Sequence, residues 1–313
     1  MKSRLLRRQH ILLPLLLAVV FIARPAFAQP APAQQPAPLQ ARVDAAAAAL
    51  EKNPRFKSLS LPYRQVIAEF MAGNTLFVLL HELAHAATSQ LQIPALAGKE
   101  DSADSFAVTQ LIKLSAGLSD RVLGESAKGW FLSDQRNKDN GDGVAYYDEH
   151  ALDQDRAFQI VCLMVGTGDE KYRRVAAATK LPKDRQDSCA GDFGTASNAW
   201  DMALKPHLRS PDQPKTRIDV VYGEAKGAKL EAVAQALRSI MLLETVAERM
   251  ADTYAWPAPF ALEMQSCGYS NAQWLPRARK VSLCYELAAD FADLYRGYGD
   301  RPASSEPRKP LAR

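Results

Sequence analysis

The sequence predicts a mostly helical α+β domain with one small sheet, spanning about residues 42–300. Three observations carry this. Apolar residues recur at helical spacing around Val66–Phe70, Phe158–Val165 and Leu230–Ile240. The run Thr75-Leu76-Phe77-Val78-Leu79-Leu80, apolar nearly all round, leads into His81-Glu82-Leu83-Ala84-His85 and reads as a buried helix. Strict alternation appears only late, where Phe260, Leu262 and Met264 alternate with Ala261, Glu263 and Gln265, and Val281 and Leu283 with Lys280 and Ser282.

The chain opens on an address. Lys2, Arg4, Arg7 and Arg8 form a positive region, Ile11 to Ile22 an apolar one, and Ala26-Phe27-Ala28 a cleavage site of the A-x-A kind. Residues 1–28 therefore read as a secretory signal peptide, with a mature chain beginning at Gln29; an uncleaved N-terminal anchor is the alternative. No Cys follows the cleavage site, which argues against a lipoprotein anchor, and no other apolar stretch is expected to be long enough to span a membrane, so the product should be soluble. The expected product is a secreted, periplasmic protein with no stable membrane insertion. The signal holds five of the 39 basic residues and no acidic one, so the mature chain carries 34 basic against 35 acidic residues. That balance offers no electrostatic footprint for nucleic acid. Residues 29–41, rich in Pro, Ala and Gln, read as a disordered tether, and residues 301–313 as a disordered tail.

Ala45 to Leu50 begins a helix. Pro62 marks the start of a second, with Val66, Phe70 and Met71 on its apolar face. Gly73 and Asn74 are expected to end it, with Asn74 as N-cap of the next helix. On that next helix His81 and His85 are one turn apart and point the same way. Two imidazoles so placed can share a metal ion, and Glu82 beside them can reach a water bound to it. This is H-E-x-x-H, in which the His pair binds Zn²⁺ and the Glu is the general base. The competing reading is a chance match, but two of the five histidines sit in this one pentapeptide.

A catalytic zinc takes three protein ligands and keeps one open position. Downstream lies Gly98-Lys99-Glu100-Asp101-Ser102-Ala103-Asp104-Ser105-Phe106-Ala107, an acidic helix start that continues to Leu114. Glu100 and Asp104 share one helical face. Spacing alone leaves either as ligand, or neither. The pattern Glu-x-x-Ala-Asp-x-Phe-Ala resembles the second zinc helix of gluzincin-type metallopeptidases, which implies Glu100 as ligand and Asp104 as the carboxylate that orients a ligand histidine. Leu80 to Ala86, Ile93-Pro94 and Gly98 to Asp104 together resemble the DUF4344 metallopeptidase family, as do Cys267-Gly268-x-x-Asn271-Ala272 and Leu283-Cys284-Tyr285-Glu286-Leu287. The resemblance extends over most of the mature chain. It implies a zincin-like peptidase site and names no substrate.

Asp134 to Asp148 reads as an acidic, turn-rich loop. A calcium-loop register fails there because Lys138 would fill its first ligand position. Next comes Asp148-Glu149-His150-Ala151-Leu152-Asp153, with Arg156 following. The resemblance makes His150 the candidate that stabilises a developing oxyanion, with Arg156 or Tyr147 as understudies; a surface His capping the following helix is the alternative. Cys162, Cys189, Cys267 and Cys284 include no C-x-x-C pair, so an exported chain should hold two disulfides. Of three connectivities, proximity favours Cys162–Cys189 and Cys267–Cys284. Pro206 to Val221 reads as loop with His207 at the surface, Leu230 to Tyr254 as one long helix, and Glu244 as a solvated carboxylate. Cys267 to Pro276 reads as the connection within a C-terminal hairpin that supplies the sheet, and Glu286 as a residue that packs or caps the terminal helix.

The expected activity is zinc-dependent hydrolysis of a peptide or protein substrate. Zn²⁺, one per chain, would be held by His81, His85 and Glu100, with Glu82 as base and His150 at the oxyanion. The rival readings are a degenerate zinc-binding scaffold of the periplasm and a cell-wall amidase. The intact Glu82 argues against the first and the lack of a wall-binding repeat against the second.

Overall fold

The computed structural model describes residues 38–94, 99–114, 116–142 and 152–299. Helices α1 (Leu39–Leu50), α2 (Leu61–Gln90), α3 (Lys99–Lys113), α4 (Ala116–Asn140), α5 (Asp153–Gly166), α6 (Glu170–Ala178) and α7 (Lys183–Leu204) come first. Strand β1 (Ile218–Tyr222) and helices α8 (Ala228–Ile240) and α9 (Leu242–Thr253) follow. Strands β2 (Phe260–Gln265), β3 (Ala272–Leu275), β4 (Lys280–Cys284) and helix α10 (Tyr285–Tyr298) close the fold. The α+β expectation of a mostly helical chain with a small, late sheet is met. The signal peptide, most of the tether and the tail lie outside the described residues, but Leu39 to Ala41, expected within the tether, already belong to α1.

α2 is the axis of the domain. It packs against α1, α3, α4, α10, β3 and β4. Against the expectation that no stretch beyond the signal is long enough to span a membrane, α2 passes by length and composition, but 89% of its apolar window is buried inside the fold. Its buried Leu, Phe, Met, Val and Ile side chains, each contributing roughly 1.5–3 kcal/mol, make this helix a large contributor to the core.

Gly73 and Asn74 do not break it. Asn74 is buried and donates from Nδ2 to Phe70 O at 2.9 Å and to Glu125 O on α4 at 3.1 Å. Thr75 Oγ1 likewise donates to Met71 O at 2.8 Å. Both polar side chains are satisfied by helix carbonyls, so the expected cap becomes an interior tie between α2 and α4. Gly73 and Gly129 allow the close approach. A Cβ on Gly73 would lie 3.2 Å from Glu125 Cβ, and one on Gly129 would overlap the Asn74 amide.

Three more expectations are corrected. The stretch from Asp134 is not a loop at first: α4 runs on to Asn140, with Lys138 paired to Asp134 and Gln135 to Asp139 at i,i+4 spacing, and Gly141 at φ 75° ends it. The helix expected from Leu230 to Tyr254 is two. Met241 sits in the left-handed region (φ 58°, ψ 43°), at a cost of about 1–2 kcal/mol, because α8 packs on α1 and α10 while α9 turns to cover β1 and β2. The expected loop up to Val221 ends in β1, whose Ile218, Val220 and Tyr222 pack inward.

The sheet has order β1-β2-β4-β3. β1, β2 and β4 are parallel, with Leu262 opposite both Val220 and Val281. The two expected strands are therefore not a hairpin. The antiparallel partner of β4 is β3, formed inside what the sequence suggested was the connection, with Trp274 opposite Val281. Glu244, expected to be solvated, accepts a hydrogen bond from Tyr222 Oη at 3.0 Å and ties α9 to β1. Both disulfides form as proximity suggested. Cys162–Cys189 joins α5 to α7, and Cys267–Cys284 joins the end of β2 to the end of β4. Glu286 accepts from the N–H groups of Cys267 and Gly268 at 3.0 and 2.8 Å, so it holds that same corner.

Gly129→Ala is expected to lower the stability of the domain by about 1–3 kcal/mol through overpacking against Asn74. Urea unfolding checks it; a midpoint equal to wild type would show that α2 and α4 are not in contact there.

Candidate metal centre

His81 and His85 sit on adjacent turns of α2, as the sequence spacing requires, and Glu100 comes from the first turn of α3. Their ligand atoms converge. His81 Nε2 lies 3.0 Å from Glu100 Oε2 and 3.2 Å from His85 Nε2, and His85 Nε2 lies 3.3 Å from Glu100 Oε2. A tetrahedral zinc site with bonds of about 2.0–2.1 Å has ligand–ligand edges of about 3.3–3.4 Å. The three donors are therefore spaced as a metal ion would hold them. Two imidazole nitrogens aimed at each other also need a cation or a proton between them, since facing lone pairs repel.

Asp104 is not in this triangle. It lies behind His81, with Oδ1 2.7 Å from His81 Nδ1, and is 2% exposed. With Asp104 ionised, Nδ1 carries the proton and His81 Nε2 is left to face the other donors. Arg156, from α5, donates from Nε to Oδ2 and from Nη2 to Oδ1 of Asp104, both at 2.7 Å. Its guanidinium stacks 3.8 Å from the centre of the Trp130 ring. α3 is held from its other side by Trp200 of α7, whose indole N–H donates to Ser102 O at 3.1 Å and Ser105 Oγ at 3.2 Å.

The electrostatics follow from this packing. Burial alone would lower the His81 pKa, but its hydrogen bonds to Asp104 and Glu100 win and push it up to about 9. His85 is held below the usual imidazole value by burial and by the charge on His81. Burial works to raise Asp104, but its hydrogen bonds to His81 and Arg156 bring it below the usual carboxylate range. A proton on His81 thus stands in for a cation in the ligand triangle.

Glu82 is buried beside the pair, and its Oε2 accepts a hydrogen bond from the main-chain N–H of Trp274 at 2.7 Å. Trp274 belongs to β3, the edge strand. Cys284 N donates to Asn271 O, which sets the phase of the β3–β4 ladder: Ala272 and Trp274 turn their N–H and C=O groups away from β4, and the Trp274 N–H meets Glu82 of α2. The backbone contact to Glu82 was not visible in the sequence, because nothing in a side-chain pattern announces a main-chain donor.

His150 and Tyr147 lie outside the described residues. Arg156, expected as an understudy at the oxyanion, instead spends Nε and Nη2 on Asp104, behind His81. Among the described residues a second cluster able to offer three ligand atoms, Cys267, Cys284 and Glu286, is already used by a disulfide and by the backbone contacts of Glu286.

The family model described as "Putative metallopeptidase", DUF4344, matches residues 45–204 and 222–309. That is most of the chain, and the chain belongs to this family. No curated protein and no solved structure matches it.

The metal-free protein is expected to be most stable near pH 6.5. His81 has a raised folded pKa, so the stability it contributes is full below its ordinary value of 6.5 and is lost as pH rises through about 9. His85 has a lowered one, so below 6.5 the unfolded chain takes up its proton more readily and stability falls again. Urea unfolding of chelator-treated protein from about pH 5 to 9 tests this; a flat profile over the upper half of that range would show that His81 is not held by the two carboxylates.

Proposed function

We propose that this chain is an exported, zinc-dependent peptidase that hydrolyses peptide bonds of an extended peptide or protein segment. The observation that carries the reading is the convergence of His81, His85 and Glu100 at 3.0–3.3 Å, with Glu82 adjacent and fixed by the edge strand. Two imidazoles and one carboxylate are the donor set of a catalytic rather than a structural zinc, because one coordination position stays open. When bound, zinc supplies Lewis acidity that polarises a scissile carbonyl and acidifies a water.

The protein's own groups do the rest. Glu82 takes the proton of the attacking water and delivers it to the leaving amine. The Trp274 N–H fixes one oxygen of that carboxylate, so the base does not have to find its orientation in each cycle. Ala272, on the same outward-facing phase of β3, offers backbone groups along which an extended substrate can add as a further strand. His150 remains the candidate for the developing oxyanion.

Export is supported by the A-x-A segment after an apolar run and by the two disulfides, which persist in an oxidising compartment. The near-neutral mature charge suits a peptide substrate and not a nucleic acid.

Glu82→Gln is expected to keep one zinc per chain and lose turnover by about 10²–10⁴-fold. His85→Ala is expected to lose the zinc. Elemental analysis of both, with mass-spectrometric scoring of cleavage in a peptide library, tests the assignment. Undiminished cleavage by Glu82→Gln would remove Glu82 as the base. Zinc bound by wild type without cleavage of any peptide would favour a binding module.

A further inference from the structure

We propose that Arg156 is a positioning residue for the metal centre, acting on His81 through Asp104, with Trp130 as its backing. This rests on the metal-site reading above. Asp104 Oδ1 receives His81 Nδ1–H at 2.7 Å, and that contact sets the rotation of the imidazole and hence the direction of Nε2. A single hydrogen bond would leave the carboxylate able to turn about its own axis. Arg156 removes that freedom. Its Nε and Nη2 make parallel 2.7 Å contacts to Oδ2 and Oδ1, the two-pronged pairing that fixes a carboxylate in the guanidinium plane.

The guanidinium plane is itself fixed. Its carbon lies 3.8 Å from the centre of the Trp130 ring, and the residue is 8% exposed. The relay therefore runs from Trp130 on α4, through Arg156 on α5 and Asp104 on α3, to His81 on α2, so four helices set one ring nitrogen. Lys could supply the charge but neither the fork nor the flat face. The same contacts argue against Arg156 reaching a substrate, because Nε and Nη2 are spent on a buried partner on the far side of His81.

The test is zinc affinity, by competition with a chromophoric chelator, together with the visible spectrum of the cobalt-substituted protein. Arg156→Gln is expected to weaken zinc binding about 10–100-fold and to shift the cobalt bands. Arg156→Lys is expected to recover only part of the loss. In an Asp104→Asn background the Gln substitution is expected to cost less than about twofold, because its route to His81 is already cut. A general structural role would not be silenced that way.

Zinc affinity of folded Arg156→Gln within twofold of wild type would overturn the proposal. So would an equal loss with and without Asp104, or full recovery by Lys. If the Gln variant does not fold, Trp130→Leu carries the test: it keeps the ion pair and removes the backing ring. A several-fold loss supports the relay and wild-type affinity sinks it. Absence of zinc from wild type itself would remove the metal-site reading, a failure distinct from any result on Arg156.

Discussion

The buried carboxylate of Asp104 is the constraint that the site depends on. Taking a charge out of water costs several kcal/mol unless it is paired and hydrogen-bonded. Asp104 is 2% exposed and therefore demands partners on both oxygens. It obtains them from His81 on one side and from the Arg156 fork on the other. Meeting that demand brings α2, α3 and α5 to fixed positions, and the ligand triangle is a consequence. Charge counting points the same way. With Glu82, Glu100 and Asp104 ionised and Arg156 cationic, a dication in the triangle brings these groups to neutrality. A proton on His81 leaves one negative charge over.

The scaffold behind the triangle is cross-braced. α3 carries Glu100 and Asp104, and it is gripped by Trp200 of α7 on one side and by Arg156 of α5 on the other. α5 and α7 are themselves joined by the Cys162–Cys189 disulfide. The two grips therefore cannot drift apart independently. Rigid supports of this kind matter because a metal centre tolerates little error in ligand placement.

What was legible in the sequence was local. His81 and His85 share a face because of the helical repeat alone, and the alternation in Phe260–Gln265 and Lys280–Cys284 needed no partner to be seen. The disulfide pairs were near in sequence and are near in space. What was missed depended on partners elsewhere in the chain. Asn74 reads as a cap because capping is its usual local use; only Gly129 and the Glu125 carbonyl across the α2–α4 contact make it an interior residue. Nothing near Met241 announces a break, since the break serves the separate packing of α8 and α9. Arg156 was noticed for its charge, but its role is set by Trp130 and Asp104, neither of which is close to it in sequence.

The sheet follows α2 in the chain, yet its edge strand lies against that helix. Fold space therefore ignores chain order here, and the coupling is through the backbone. Because Glu82 is held by the main-chain N–H of Trp274, no side-chain change at position 274 that preserves the strand removes the bond. Only a shift of β3 along β4 does so. A slip of one residue would turn the wrong N–H toward α2, since outward and inward groups alternate. That slip is resisted at both ends of the strand. Upstream, the Cys267–Cys284 bridge and the Glu286 contacts pin the approach to β3. Downstream, a tight turn with Arg279 at φ 48° joins it to β4. The second disulfide and Glu286, remote from the ligand triangle in sequence, thereby fix the register on which the orientation of Glu82 rests.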